Sequence, residues 1–331
     1  MSEFVLELGV EEVPARFLPP ALAQMEEKGA ELLREARLGW DSLVALGTPR
    51  RLILRVTGLP SRQEAREVKV KGPARRVAFD EAGRPTRAAL GFAAGQGVTA
   101  DQLRVEEIAG GEYVFALRRE EGRPTGEVLG GVAAELLARL EFPRSMRWGQ
   151  GDYRFVRPVR WIVALLDEEV VPFEFAGVAS GRVTWGHRSL HPGCREIRAA
   201  HEFLPALREL GVVADPGERK ESIREQIRSA ARELGGEVLA DEELLEEVTF
   251  LVEHPTAVGG TFASHYLALP AAVPVTVLKH HQRCFSLVRP RSGAETGAQP
   301  GGGDRQVELL PGFVAVRDGG PQFLEVVREG Y

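Results

Sequence analysis

Cysteine is nearly absent from this chain of 331 residues: Cys194 and Cys284 are the only two. They allow at most one disulfide, and a chain of this size has enough core not to need one, so both are expected as free thiols. Aromatic residues are sparse at 7%. No stretch approaches the roughly 18 consecutive apolar residues of a membrane helix. The opening MSEFVLELGVEEVP carries acids where a secretory leader carries lysine or arginine before an apolar run. A cytoplasmic, non-membrane protein is the expectation. The signatures of self-contained catalysis are missing too. GQGVTADQ and PGGGDR lack the GK[ST] that holds a triphosphate, and there is no GxSxG, HExxH or CxxC. No catalytic residue is therefore assigned.

What remains is an ordinary globular composition, 44% hydrophobic and 27% charged, at a length that accommodates two or three domains. The net charge of −6 argues against a protein that coats nucleic acid nonspecifically, but the charge is segregated. Residues 69–88 hold six cations against Asp80 and Glu81. Residues 139–160 hold six arginines against Glu141 and Asp152. Residues 221–253 hold ten acids against Arg224, Arg228 and Arg232. Basic segments on an acidic chain can grip a polyanion locally, or can pair internally with the acids. Both readings stay open at this point.

The periodicity mixes strands and helices with no regular βαβ repeat. This predicts α+β, in several small mixed modules, rather than a doubly wound parallel sheet. FVLELGV reads as a strand, residues 17–37 as a helix closed by Gly39, and RLILRVT as a strand, a compact β-α-β opening. REVKVKGPARRVAF has strand character broken by a Gly72-Pro73 turn, and residues 86–97 start and end a short helix. Residues 103–119 read as a hairpin turning at Gly110-Gly111, followed by a helix over 125–140. An amphipathic helix over 215–235 and a second, acidic one over 241–253 form a helical pair. Residues 291–306 read as a Gly-rich loop between two strands, and the sequence stops at QFLEVVREGY in the middle of what reads as a helix. The expected division is an N-terminal α+β region, 1–150, with the basic segments, and a second α+β region, 151–331, with the helical pair (215–253) and the Gly-rich loop.

Three constellations carry possible chemistry. His187, His191 and Cys194, with His280, His281 and Cys284, offer nitrogen and sulfur ligands, but Pro192-Gly193 break the first group, so no metal site is assigned. Glu11 and Glu12 point to opposite faces of an extended chain, which disfavours an acid/base pair and favours a helix cap near Pro14. The arginine-rich stretches interleave guanidinium groups with Trp148 and Trp161, chemistry that suits stacking on bases and bidentate phosphate contact. The bland alternative is an arginine–aromatic core lining.

At these same residues the sequence resembles a known family. FVLELGVEEVPARFL, GTPRRLILRV, KGPARRVAFDEAGRPTRAALGFA, MRWG, FVRPVRWIVALL, SGRVTWGHR, ERKESIREQI, LLEEVTFLVEHP, FASHYLALP and LKHHQRCF follow, in order from Phe4 to Phe313, the pattern of the glycyl-tRNA synthetase beta subunit. His254, Ala272, Leu278 and Cys284 depart from it. The resemblance implies a non-catalytic, tRNA-handling subunit of an α2β2 tetramer. By resemblance ATP and Mg are bound at the alpha subunit, which activates glycine, and this chain has no cofactor of its own. The expected partners are that alpha subunit and tRNA-Gly. The family's HD-type and anticodon-binding domains are expected to be absent here. Arg50, Arg51, Lys71, Arg75, Arg76, Arg147, Arg157, Arg160, His187 and Arg188 are the expected RNA- or subunit-facing positions. The rival expectation is a docking scaffold, or a diverged duplicate, that never touches RNA.

Overall fold

The computed structural model describes residues 2–108, 110–148, 153–290 and 307–322. It is α+β, built from one large sheet and several small ones. Strand β1 (Ser2–Val10) leads into helix α1 (Leu18–Glu35), then β2 (Ser42–Thr48) and β3 (Arg51–Leu59). A strand therefore stands at Ser42–Thr48, a segment to which the sequence pattern assigns no element. An excursion follows: β4 (Arg66–Ala74), α2 (Arg75–Ala78), α3 (Arg87–Gly95), β5 (Arg104–Ile108) and β6 (Gly111–Glu120). The chain returns through α4 (Thr125–Ala138), the small strands β7 (Met146–Arg147) and β8 (Arg154–Phe155), and β9 (Val159–Leu166). Strands β10 (Glu169–Val170), β11 (Glu174–Phe175) and β12 (Val178–Gly181) extend the large sheet, and β13 (Val183–Trp185) pairs with β14 (Cys194–Glu196). Then come α5 (Phe203–Glu209), α6 (Pro216–Glu233), β15 (Glu237–Val238), α7 (Glu242–Thr249) and β16 (Pro255–Thr261). A strap containing α8 (Ala272–Thr276) leads to β17 (Cys284–Pro290) and β18 (Val307–Asp318).

The large sheet runs β11-β12-β9-β1-β3-β2, with β10 beside β9. Only β12 on β9 is parallel. Strand β1 lies at its centre and is buried on both faces. Phe4, Leu6, Leu8 and Val10 pack with Leu18, Met25 and Leu33 of α1 and Leu129 and Leu136 of α4. The opposite face, Val5 with Ile53, Trp161 and Val163, packs under Phe203 and Leu207 of α5. Side chains alternate along a strand, so Glu7 points into this second face between Val5 and Gly9. Gly9 is dictated by crowding: a Cβ there would lie 2.0 Å from the Trp161 ring, which crosses it from β9.

Because β1 pairs β3 on one side and β9 on the other, the expected division at residue 150 falls between strands of a single sheet. The excursion is a separate small module, the sheet β4-β6-β5 with α2 and α3 on one face and its own core of Ala78, Ala89 and Val114. Gly72-Pro73 does not turn the chain as expected; β4 runs through it with a bulge, and Gly72 lies against the Phe92 ring. The third module packs Ile223, Ile227 and Ala231 of α6 and Leu244 and Val248 of α7 on the sheet β15-β17-β18-β16. Asp215 caps α6 through Gly217 N–H, and Asp241 caps α7 through Leu244 N–H. The second helix ends at Thr249, earlier than its pattern suggested. The Gly-rich loop expected over 291–306 and the helix expected at the end of the sequence fall outside the described residues.

Candidate nucleic-acid interface

Six of the ten expected contact positions converge at one end of the large sheet, where β1 ends and β3 and β9 begin: Arg50, Arg51, Arg157, Arg160, His187 and Arg188. They form two layers. The inner one is sealed. Arg51 is 0% exposed; it donates from Nε to Glu253 Oε1 at 2.8 Å and from Nη1 to Glu7 Oε1 at 2.8 Å and the Trp185 carbonyl at 3.0 Å. Thr48 donates its hydroxyl to Glu253 at 2.6 Å, and Arg50 Nη1 lies 3.7 Å from the other Glu253 oxygen. The guanidinium groups of Arg50 and Arg51 both stack near the Trp161 ring, 5.8 and 5.5 Å from its centroid.

Burial pushes the Glu7 carboxyl up, beyond what the Arg51 charge and the nearby Thr184 hydroxyl and Trp161 indole offset. Burial works the same way on Glu253, but Arg51, the Thr48 hydroxyl and Arg50 outweigh it and hold that carboxyl below its ordinary value. Glu253 is thus the carboxylate that reaches both Arg50 and Arg51, while Glu7 reaches Arg51 alone. Breaking a buried ion pair from one side leaves an uncompensated charge. Arg51 has no surface to offer a ligand, which corrects its placement among RNA- or subunit-facing residues.

His187 is corrected on the same ground, being 2% exposed. Its Nδ1 accepts from the backbone N–H groups of Ser189 and Leu190, which leaves Nε2 facing Asp318 Oδ1 at 3.0 Å along a bent line. Asp318 also accepts from the Glu253 and His254 N–H groups, at 2.8 Å each. Burial raises its carboxyl, but His187 and those N–H groups prevail and its pKa is lowered. Close by, Arg219 is buried, has no ion pair among the described residues, and donates to the carbonyls of Thr249, Val213, Ala214 and Gly47. Burial brings its pKa down to about 10. Together these residues bolt the third module to the large sheet.

The outer layer is committed as well, with Arg160 and Arg188 exposed and Arg157 half-buried. Arg160 Nε lies 3.4 Å from Glu11 Oε1, and Arg188 reaches Glu11 at 3.4 Å and Glu12 at 3.1 Å. Arg157 donates to the carbonyls of Glu12 and Val156 at 2.9 Å each. Glu11 and Glu12 therefore do converge, on arginine, and neither caps the helix after Pro14. Arg147 sits exposed on β7 opposite Arg154.

Lys71, Arg75 and Arg76 lie on the inserted module, away from this cluster. Arg75 holds Glu112 with two bonds, 3.0 and 2.8 Å, with both side chains about half exposed. Lys71 lies over the Tyr113 ring, its Nζ 3.6 Å from the centroid. Arg76, Arg84, Arg87 and Arg104 are exposed and make no ion pair among the described residues. Sequence reasoning missed Glu7, Glu253, Arg219 and Asp318, the acids and the arginine that hold the inner layer. The available signal was a lone charge inside an apolar run, as in VLELGV and FLVEHP.

Among the described residues no three His, Cys, Asp or Glu side chains gather as a metal ion requires, and no helix is long and apolar enough to cross a membrane. Cys194 is exposed and Cys284 buried, both free, and burial pushes the Cys284 thiol up to about 12.

These features define an α+β protein with a polar, ion-paired seam at one end of its central sheet and a charged module inserted in it. The family profile described as Glycyl-tRNA synthetase beta subunit matches residues 4–331. The chain is 45% identical over 329 residues to the glycine–tRNA ligase beta subunit of Desulforamulus reducens, covering 99% of this chain and 45% of that one. It is 45% identical to that of Desulforudis audaxviator, covering 99% and 46%, and 45% identical over 318 residues to that of Geobacter metallireducens, covering 96% and 44%. The chain belongs to the glycyl-tRNA synthetase beta subunit family, and it spans less than half the length of these curated relatives.

Proposed function

We propose that the chain is the tRNA-handling, non-catalytic part of a glycine–tRNA ligase. In that reaction ATP, glycine and tRNA-Gly give glycyl-tRNA, AMP and pyrophosphate, with ATP and Mg bound by an alpha subunit, in an α2β2 assembly that works in the cytoplasm. The observation that supports RNA handling is the charge on the inserted module. Lys71, Arg76, Arg84, Arg87 and Arg104 are exposed there outside any ion pair among the described residues, and Arg75 is tied only by a surface pair of the kind worth less than about 1 kcal/mol. Free cations can neutralise phosphates at little cost, whereas Arg160 and Arg188 must first release Glu11 and Glu12. The module is thus the preferred RNA surface and the sheet end the lesser one.

The test is binding of tRNA-Gly by this chain, alone and with the alpha subunit, across a salt series. Tight, salt-sensitive binding by the chain alone supports the reading. A stable complex with the alpha subunit and no RNA binding alone contradicts it and favours a docking scaffold. That second reading has its own observation. In the strap after β16, Tyr266, Leu269, Val273 and Val277 stand 44–50% exposed, an apolar row suited to another protein surface.

A further inference from the structure

The inserted sheet is covered on one face only. Directly opposed residues on antiparallel strands share a face. The pairs Val70–Ala116 and Val105–Val114 lie on the side of α2 and α3, where Val114 packs with Ala78 and Ala89 and beside Phe79 and Phe92. The other face carries Tyr113, Phe115 and Leu117 along β6. Lys71 lies opposite Phe115 and Lys69 opposite Leu117 on β4, and Arg104 and Glu106 lie opposite Phe115 and Tyr113 on β5. The extensive contacts of these three strands are all made within the module. Phe115 is 4% exposed, shielded by Lys69, whose ammonium lies 4.6 Å from the ring centroid and pairs with Glu106. Tyr113 is only half-buried, and what lies over its ring is the Lys71 ammonium.

Resting on the RNA-handling reading above, we propose that this open sheet face binds single-stranded RNA. An unpaired base stacks on Tyr113 in the place Lys71 now occupies, while Lys71 and Arg104 take the flanking phosphates. Charge supports this occupant. Lys71 and Arg104 have no carboxylate partner among the described residues, whereas the nearby acids Glu106 and Glu112 are already held by Lys69 and Arg75. The exchange is favourable in kind, because an exposed cation–π contact is worth less than a base–aromatic stack. Lys71 loses the ring and gains a phosphate. Single strands are selected because the bases of a duplex keep their faces inside the stack and show only edges.

The experiment compares binding of a short unpaired RNA containing 2-aminopurine with binding of a blunt-ended, fully paired RNA duplex. It uses the whole chain and its Tyr113→Leu and Tyr113→Phe variants. The expected result is a change in 2-aminopurine emission with the wild type and a loss of roughly tenfold or more in single-strand affinity for Tyr113→Leu, as removal of one stack implies. Tyr113→Phe keeps the ring and binds like the wild type, and duplex affinity is the same for all three. Single-strand affinity unchanged by Tyr113→Leu overturns the stack while leaving RNA handling in place. Equal losses for both RNAs overturn it as well, since the effect is then not specific to an unpaired base. No binding of either RNA by the wild type overturns the RNA-handling reading itself. Loss of binding by Tyr113→Phe along with Tyr113→Leu contradicts a role for the ring.

Discussion

The sheet end and the inserted module look alike in sequence and differ in what their cations do. Each gathers arginines near aromatic rings. At the sheet end Arg51 is enclosed by Glu7 and Glu253, and Arg160 and Arg188 are answered by Glu11 and Glu12. On the module, Arg76, Arg84, Arg87 and Arg104 face solvent without a partner among the described residues. The difference lies in distance along the chain. Glu253 comes 202 residues after the Arg51 it holds, so nothing local to Arg51 shows that the fold answers its charge with buried carboxylates. A cluster of arginines is evidence of a polyanion surface only once its long-range acids are known.

The comparison breaks most sharply through the buried carboxylates. Glu253→Gln removes the carboxylate that Arg50 and Arg51 share, leaving Arg51 only Glu7, and is expected to cost about 3–5 kcal/mol in denaturant unfolding. Glu7→Gln is expected to cost less, since Glu7 reaches Arg51 alone while Glu253 also holds Thr48 and lies near Arg50. Equal losses would mean that the two acids share Arg51 evenly.

Next in size is the module. Arg75→Ala combined with Arg76→Ala is expected to weaken tRNA binding by roughly tenfold near 0.1 M salt and to reduce the salt slope by about two. Salt-series affinities read both quantities.

Asp318 gives a smaller effect with a defined sign. Its carboxyl and that of Glu253 are held below their ordinary values. Their contribution is thus present above the unfolded carboxylate range near about 4 and is lost as pH falls through the folded values. Glu7, raised, acts oppositely: its contribution is present at low pH and lost as pH rises. Asp318→Asn is expected to flatten the loss of stability on acidification, read from unfolding curves between pH 3 and 7. Retention of the full wild-type slope would count against the Asp318 hub. The smallest effect belongs to the outer layer, where Arg160→Ala is expected to change stability by less than about 1 kcal/mol, as exposed pairs do.

Much of the fold was legible. The helices 18–35, 125–138 and 216–233 follow from their periodicity, and the hairpin from Gly110-Gly111. Strand β2 was not, because Ser42–Thr48 has too little alternation to separate it from a loop, and its place is set by β3 and α1. The division at 150 misled for a related reason: β9 completes a sheet begun at residue 2, and pairing across that distance leaves no local mark. Of the candidate site, the exposure of Arg75 and Arg76 was legible from a stretch, 69–88, rich in cations and poor in acids. The burial of Arg51 and His187 was not, since nothing near either names Glu253 or Asp318.

The most direct test sets the two regions side by side: tRNA-Gly affinity across a salt series for Arg75→Ala/Arg76→Ala and for Arg160→Ala/Arg188→Ala. The account predicts a weakened, less salt-dependent complex for the module pair and near wild-type binding for the sheet-end pair. The reverse order would place the RNA surface at the end of the large sheet and contradict it.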